Sequence, residues 1–219
     1  MTISKLINKL MEPQELLKHL LAFAKIDFIM HPESDDCWLR VYHYDKNWIE
    51  NGHFFKIDDS GGDHYHILFS PAGCIIKGFD HECEMSPYNY DENEPLPDYI
   101  ADHDFYKGAP IELVTLLDDP ALEKELVTFC TWRTADDVEW RFVSPSIPKK
   151  WCDGMDTFLY YAHNLKQHRE WFEEYYESEL DAEILQNIFD GDAFSLDIIN
   201  ALNPEKASKT ILENLKENF

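Results

Sequence analysis

Residues 53–79, HFFKIDDSGGDHYHILFSPAGCIIKGF, decide the fold of this chain. The stretch holds short runs rich in aromatic and β-branched residues, separated by the turn-forming clusters Asp59–Asp63 and Ser70–Gly73. Runs of this kind between Gly, Pro, Asp and Ser clusters are typical of antiparallel strands joined by tight turns. We therefore predict strands near 53–58, 64–69 and 73–79, preceded by another near 37–44.

The segments on either side of this meander have the spacing of helices. Apolar residues recur at three- and four-residue steps from about residue 2 to residue 25, and Pro13 is expected to start a second helix there. The chain reads as helical again from about Gly154 to its end, with a break at 189–192 and a last helix starting near Asn203–Glu205.

The middle of the chain is expected to be less regular. Residues 80–110 are acidic and rich in proline, which indicates a long connection. Short helices broken at Pro120 follow, and then a second hairpin from LVTFCTWR and VEWRFV. The predicted class is α+β: a mostly antiparallel sheet, an N-terminal helix and a helical, acidic C-terminal third. We expect a core over residues 1–150 and a helical extension, 151–219, packed on that core as one domain.

The overall charge excludes several classes of protein. The 219 residues include 19 Lys and Arg against 43 Asp and Glu, a formal net charge of -24. A protein that holds nucleic acid through its phosphates, or that docks on anionic lipid, needs the opposite sign. Because 44% of the residues are hydrophobic, a disordered acidic tail is excluded as well. A cationic partner, a metal ion, or no charged partner is compatible with this composition.

Two long segments, 78–106 and 170–205, contain no Lys or Arg. Like charges three or four residues apart destabilise a helix by a few tenths of a kcal/mol per pair, so their retention indicates a use elsewhere. A strongly negative surface speeds encounter with a basic partner. The carboxylates in these segments that we predict to contact a partner are Asp80, Glu82, Glu84, Asp91, Glu92, Glu94, Glu173, Glu174 and Glu177.

An aromatic set in the second acidic segment has two interpretations. Trp171, Phe172, Tyr175 and Tyr176 share one face of the expected helix. A stripe of this kind normally belongs to the core, and we favour that interpretation. Where the rings are exposed, Trp171 and Tyr175 are candidate anchors for a partner, since Trp and Tyr are enriched in binding hot spots.

A cluster at the end of the last predicted meander strand offers metal ligands. Asp80, His81 and Glu82 follow that strand, and His64 and His66 would share one face of a neighbouring strand. A divalent metal held by His64, His66, Asp80 and His81 would support a hydrolase. The interpretation that we favour is structural: Asp80 caps a turn, while His81 and Glu82 form local hydrogen bonds.

Other catalytic signatures are missing from the sequence. No Gly-x-Ser-x-Gly elbow or glycine-rich nucleotide loop is present. Cys83 has Glu82 and Glu84 as neighbours, and negative charge raises the pKa of a thiol, so we do not expect an activated cysteine. No cofactor is predicted, and an enzyme is the less favoured class.

The cysteines and the first residues bear on the compartment. The cysteines are odd in number and widely spaced, which favours reduced thiols; they are Cys37, Cys74, Cys83, Cys130 and Cys152. Charged residues are spread through the first 25 positions and no apolar run approaches the length of a spanning helix. We therefore expect a cytoplasmic protein.

Two segments carry a resemblance to a known family. GFDHECEMSP, residues 78–87, and CTWR, residues 130–133, resemble motifs of a family of small uncharacterised bacterial proteins. The resemblance covers about the middle half of the chain and implies a bacterial cytosolic origin but no activity. It also implies shared roles, structural or functional, for Asp80, His81, Glu82 and Arg133.

Charge, size and the lack of catalytic motifs together favour a binding protein. We expect an immunity-type inhibitor that neutralises a cationic bacterial toxin, for example a nuclease, by electrostatically complementary binding. The alternatives are the metal-dependent hydrolase described above and a non-catalytic regulatory module whose acidity serves solubility. The sequence does not define the oligomeric state.

Overall fold

A six-stranded antiparallel sheet forms the centre of the molecule, with its strands in chain order. The computed structural model describes residues 1–32, 37–91, 93–145, 147–148, 151–191 and 194–219. The strands are β1 (Tyr42–Asp45), β2 (His53–Asp58), β3 (His64–Ser70), β4 (Gly73–Phe79), β5 (Phe129–Thr134) and β6 (Arg141–Phe142). The predicted meander and the later hairpin are therefore confirmed, and so is the α+β class.

Helices precede, interrupt and follow the sheet. They are α1 (Ile3–Leu6), α2 (Pro13–Met30), α3 (Asp98–Ala101), α4 (Ile111–Val114), α5 (Met155–Tyr161), α6 (Leu165–Tyr175), α7 (Ala182–Asp190), α8 (Leu196–Leu202) and α9 (Lys209–Asn218). Pro13 starts α2 as predicted. No helix in the described part of the chain has the length and apolar character needed to cross a membrane.

Several predicted boundaries are wrong. The helical stretch expected from Gly154 to the break at 189–192 is divided into α5, α6 and α7. Residues 37–39 form a 3₁₀ turn, so β1 begins at Tyr42 and not at residue 37. The last helix begins at Lys209 because the Ser208 hydroxyl caps it by accepting a hydrogen bond from the Ile211 amide. Asn203, the earlier predicted start, instead donates its side-chain amide to two carbonyls at the end of α2.

The sheet is buried on both faces. On one face, side chains such as Tyr65, Ile67 and Ile76 share a core with α1, α2 and the helices after residue 151. The other face carries Leu68 and Ile75 and is covered by the connection between β4 and β5. That connection thus has a structural task, which is to seal the second face. The division of the chain at residue 150 stays a prediction.

Candidate functional site: an aromatic and acidic surface

The turn between β2 and β3, residues 59–63, contacts the first acidic segment directly and is linked to the second through Tyr161. Asp63 Oδ1 accepts a hydrogen bond from the His81 amide at 2.7 Å, which ties the turn to the first acidic segment. Asp59 Oδ2 accepts one from the Tyr161 hydroxyl at 3.3 Å, at the end of α5. Tyr161 lies just before the second acidic segment, so the turn has one partner in the first segment and one next to the second.

A row of aromatic rings leads from this turn along α6. The Tyr161 and Trp171 rings lie 6.2 Å apart, and Trp171 stacks on Tyr175 at 5.0 Å with an interplanar angle of 10°. The Tyr175 hydroxyl donates to the Leu39 carbonyl at 2.7 Å. Next to Leu39 is Trp38, whose carbonyl accepts a hydrogen bond from the Ser60 hydroxyl and so closes a ring of contacts around the turn.

Several of these rings are open to solvent. Trp38 is 65% exposed, Tyr160 52% and Tyr175 42%. Large aromatic side chains are normally well buried, and exposed Trp and Tyr side chains are common anchors of protein interfaces. Phe172, by contrast, is fully buried. The aromatic stripe of α6 therefore serves both the core and the surface.

The first acidic segment adds a ring and a carboxylate on the other side of the turn. Tyr88 is 59% exposed and lies 5.5 Å from the His81 ring. The His81 Nδ1 atom is 3.0 Å from Glu82 Oε1, and the Glu82 side chain is 85% exposed. We call the rings of Trp38, Tyr88, Tyr160 and Tyr175, with the carboxylates of Glu82, Glu174 and Glu177, the aromatic–acidic surface.

Two of these carboxylates occupy positions that disfavour them. Glu174 is exposed in the last turn of α6, where the negative end of the helix dipole repels a carboxylate. Glu177 has a backbone φ of 50°, the left-handed conformation that favours glycine. An uncharged residue at position 174 and a glycine at position 177 would each stabilise the end of α6 more. Glu173 differs, because it pairs with Arg169 at 2.9 Å and accepts from the Leu180 amide.

Not every predicted contact residue lies on this surface. Asp80 is 5% exposed, and its carboxylate accepts hydrogen bonds from the amides of Glu82 and Cys83 and from the Thr157 hydroxyl. Glu84 is bonded to the amide and thiol of Cys152.

The rest of the predicted acidic set lies further along the same connection. Asp91 and Glu94 are exposed there, and Asp91 accepts hydrogen bonds from the amide and side chain of Asn93. Glu92 lies outside the described residues. The first acidic segment therefore contributes mainly Glu82 to the surface.

A buried carboxylate holds the platform beneath the surface. Asp27, in α2, accepts hydrogen bonds from the amides of Val41 and Tyr42 at 2.7 Å each, and from the Tyr176 hydroxyl. It thereby joins α2, β1 and the end of α6. Burial raises its pKa to about 7, against the opposite effect of the two amides.

The histidines of the proposed metal site lie elsewhere and serve another cluster. His64 and His66 are on the sheet face covered by the β4–β5 connection, where Lys77 Nζ is 3.3 Å from His64 Nε2 and donates to the Leu122 carbonyl at 3.0 Å. Burial, and then the Lys77 charge, lower the pKa of His64 to about 4 and of His66 to about 2.

His81 and Asp80 are occupied by the turn contacts described above. Within the described ranges no group of three or more His, Cys, Asp or Glu side chains could hold a metal ion. The predicted set of His64, His66, Asp80 and His81 is therefore not assembled, and the local hydrogen-bonding role of Asp80, His81 and Glu82 is confirmed.

Cys83, in the first acidic segment, is not an activated nucleophile. All five cysteines are free thiols. Burial raises the pKa of Cys83, and the nearby Asp80 carboxylate raises it further. Cys83 is also fully buried in the core of the second sheet face. Its role is to pack that core.

Sequence reasoning missed Trp38, Tyr88 and Tyr160 as members of the surface. The sequence shows that each is a large aromatic residue, but it does not show that the ring is exposed. Their convergence on the turn at 59–63 depends on tertiary contacts. Comparisons with known protein families, with characterised proteins and with solved structures found no match.

Proposed function

We propose that this protein binds a basic protein partner through the aromatic–acidic surface, as a cytoplasmic immunity-type inhibitor of a cationic bacterial toxin such as a nuclease. The observation that carries the proposal is the meeting of exposed Trp and Tyr rings with carboxylates from two segments that lack Lys and Arg. The regulatory alternative has no comparable support, since acidity that serves solubility does not require clustered exposed rings.

Each component of the surface has a separate task in binding. The carboxylates of Glu82, Glu174 and Glu177 attract a cationic partner and orient it before contact, which raises the association rate. The partner then buries the exposed rings of Trp38 and Tyr175, and this burial slows dissociation. A nuclease binds the phosphates of its substrate through a basic groove. An acidic surface that occupies this groove therefore competes with nucleic acid for the nuclease.

Identification of the partner is the first step of the test. The protein is immobilised at low salt, basic proteins retained from a bacterial lysate are identified, and the strongest is purified. Its affinity for the wild-type chain is then measured by isothermal titration calorimetry. If no basic protein is retained at low salt, the proposal fails at this step.

A charge-matched pair of variants then tests the site. The E174Q/E177Q variant removes two charges from the surface, while E112Q/E139Q removes two exposed charges elsewhere, Glu112 lying near the β3–β4 turn at the other end of the sheet. We expect the first to lower the association rate at 50 mM salt and the second to leave it almost unchanged. The difference should shrink at 300 mM, because screening shortens the Debye length from about 14 Å to about 6 Å. Equal rates for both variants at low salt would contradict the proposed site.

A further inference from the structure

A cleft of about 590 Å³ lies at the end of the sheet opposite the aromatic–acidic surface. Its walls are the start of α2, the loop before β2, the β3–β4 turn and the end of β5. The two ends are separated by the length of β3, seven residues or about 20 Å. The volume lies within the range of small-molecule sites. A ligand in this cleft would not touch the partner surface.

A guanidinium is fixed in this cleft. Arg133 Nε donates to the Asp137 carbonyl at 3.1 Å, and Arg133 Nη1 lies 2.6 Å from Glu12 Oε2. The Arg133 side chain is 13% exposed, while that of Glu12 is 65% exposed. The charged group is therefore held by the fold on one edge and paired with a solvated carboxylate on the other.

The first turn of α2 contributes positive potential to the same cleft. Glu12 is the N-cap of this 18-residue helix, and its side chain makes no capping hydrogen bond. Glu12, Pro13 and Gln14 all line the cleft. The amides of a first turn and the helix dipole favour a negative group placed there. Arg133 and the helix start thus favour the same kind of ligand.

The rest of the lining is partly apolar. Leu17, Phe69 and Cys74 contribute to it, and Phe69 and Cys74 belong to the core on the helical side of the sheet. The nearby Asp137 carboxylate is already engaged, since it accepts from Thr134 and pairs with Arg141. Glu12 is therefore the carboxylate that competes for Arg133.

We propose that this cleft binds a small organic anion, with a carboxylate or phosphate group on Arg133 and an apolar part against Leu17 and Phe69. Glu12 is the internal counter-ion that the ligand displaces. Exchange is possible because the Glu12 side chain is 65% exposed and can turn into solvent, while Arg133 keeps its hydrogen bond to the Asp137 carbonyl. The incoming group gains the two-point geometry that guanidinium offers to carboxylates and phosphates.

The test uses malonate and inorganic phosphate as separate probes, titrated into the full-length protein by calorimetry. The E12Q variant removes the competing charge at an exposed position, so it keeps the fold. We expect it to bind the preferred probe at least about two- to fivefold more tightly than wild type, since fully exposed ion pairs account for that factor and Arg133 is only 13% exposed. Comparison of the two probes distinguishes a carboxylate ligand from a phosphate ligand.

Two further variants locate the binding. R133Q is expected to lose it, and R133K to weaken it, because Lys cannot offer the same two-point contact. K107Q removes an equal charge at an exposed position outside the cleft and is expected to bind like wild type. Unchanged binding in R133Q, weaker binding in E12Q, or binding of neither probe by wild type and E12Q would overturn the proposal.

Discussion

The replacement Asp27→Asn provides a sharp test of how the platform under the surface is held. Asp27 is fully buried and accepts hydrogen bonds from three donors on β1 and α6. Asn keeps the shape and one acceptor oxygen but removes the titration. The variant therefore separates the effect of the buried charge from that of the hydrogen bonds.

The size of the effect follows from the raised pKa of Asp27. In the folded protein this pKa is about 7, against 3.8 for an ordinary Asp. A group whose pKa is raised by folding stabilises the fold below its unfolded pKa, and this contribution is lost as pH rises through the folded pKa. The gap between 3.8 and about 7, at 1.36 kcal/mol per pH unit, corresponds to up to about 4 kcal/mol.

The assay is urea unfolding of wild type and D27N at half-unit steps from pH 4 to pH 8. Other groups, including the buried histidines, titrate in both proteins and cancel in the difference between the two free energies of unfolding. As pH rises over this range, we expect the free energy of unfolding of wild type to fall relative to that of D27N by up to about 4 kcal/mol. A difference that stays constant with pH would refute the claim that Asp27 is held as a buried, largely neutral carboxyl.

Further predictions concern other single positions. Burial lowers the pKa of Lys77 from 10.5 to about 8, so folding disfavours the charged form. In urea unfolding, the stability of wild type relative to K77M should therefore rise by up to about 3 kcal/mol from pH 8 to pH 10.5. Glu177→Gly should stabilise the protein by about 1 kcal/mol in thermal unfolding because φ is 50° there, while it weakens partner binding; a loss of stability would contradict the strain. Phe172→Ala, at a fully buried position, should lower the free energy of unfolding by about 3–5 kcal/mol. Tyr175→Ala, at a half-exposed position, should lower it by about 1 kcal/mol, mainly through loss of the hydrogen bond to Leu39. Similar losses for both variants would show that the two rings are buried alike.

The meander could be predicted almost to the residue from its turns. The clusters at 59–63 and 70–73 fix where β2, β3 and β4 end, and the structure places these strands within one residue of the prediction. Side-chain alternation was less informative, because both faces of the sheet are buried. In β4 five consecutive residues after Cys74 are buried, including Lys77 and Gly78, so no polar face marks the strand.

Two helix boundaries depended on side chains whose partners are distant. Pro204 looked like a helix start, yet the preceding Asn203 side chain is bound to the end of α2. Ser208 had the hydroxyl that an N-cap needs, and this signal in the sequence would have placed the start of α9 correctly.

The site was predictable in part. Charge counting found the two acidic segments, and helical spacing found the aromatic stripe of α6. The meeting of these features at one turn was not predictable, since it depends on the pairs Ser60–Trp38, Tyr161–Asp59 and His81–Asp63 across long sequence separations. Neighbouring carboxylates also differ in burial, which the sequence does not show: Asp80 is buried, while Glu82 is exposed.

The most direct test of the central claim is the affinity of the purified basic partner for the W38A/Y175A variant. Both positions are exposed, so the variant is expected to fold, which circular dichroism would verify. The loss of two interface anchors should weaken binding at least a hundredfold, with most of the change in the dissociation rate. An affinity equal to that of wild type, in a folded variant, would contradict the account.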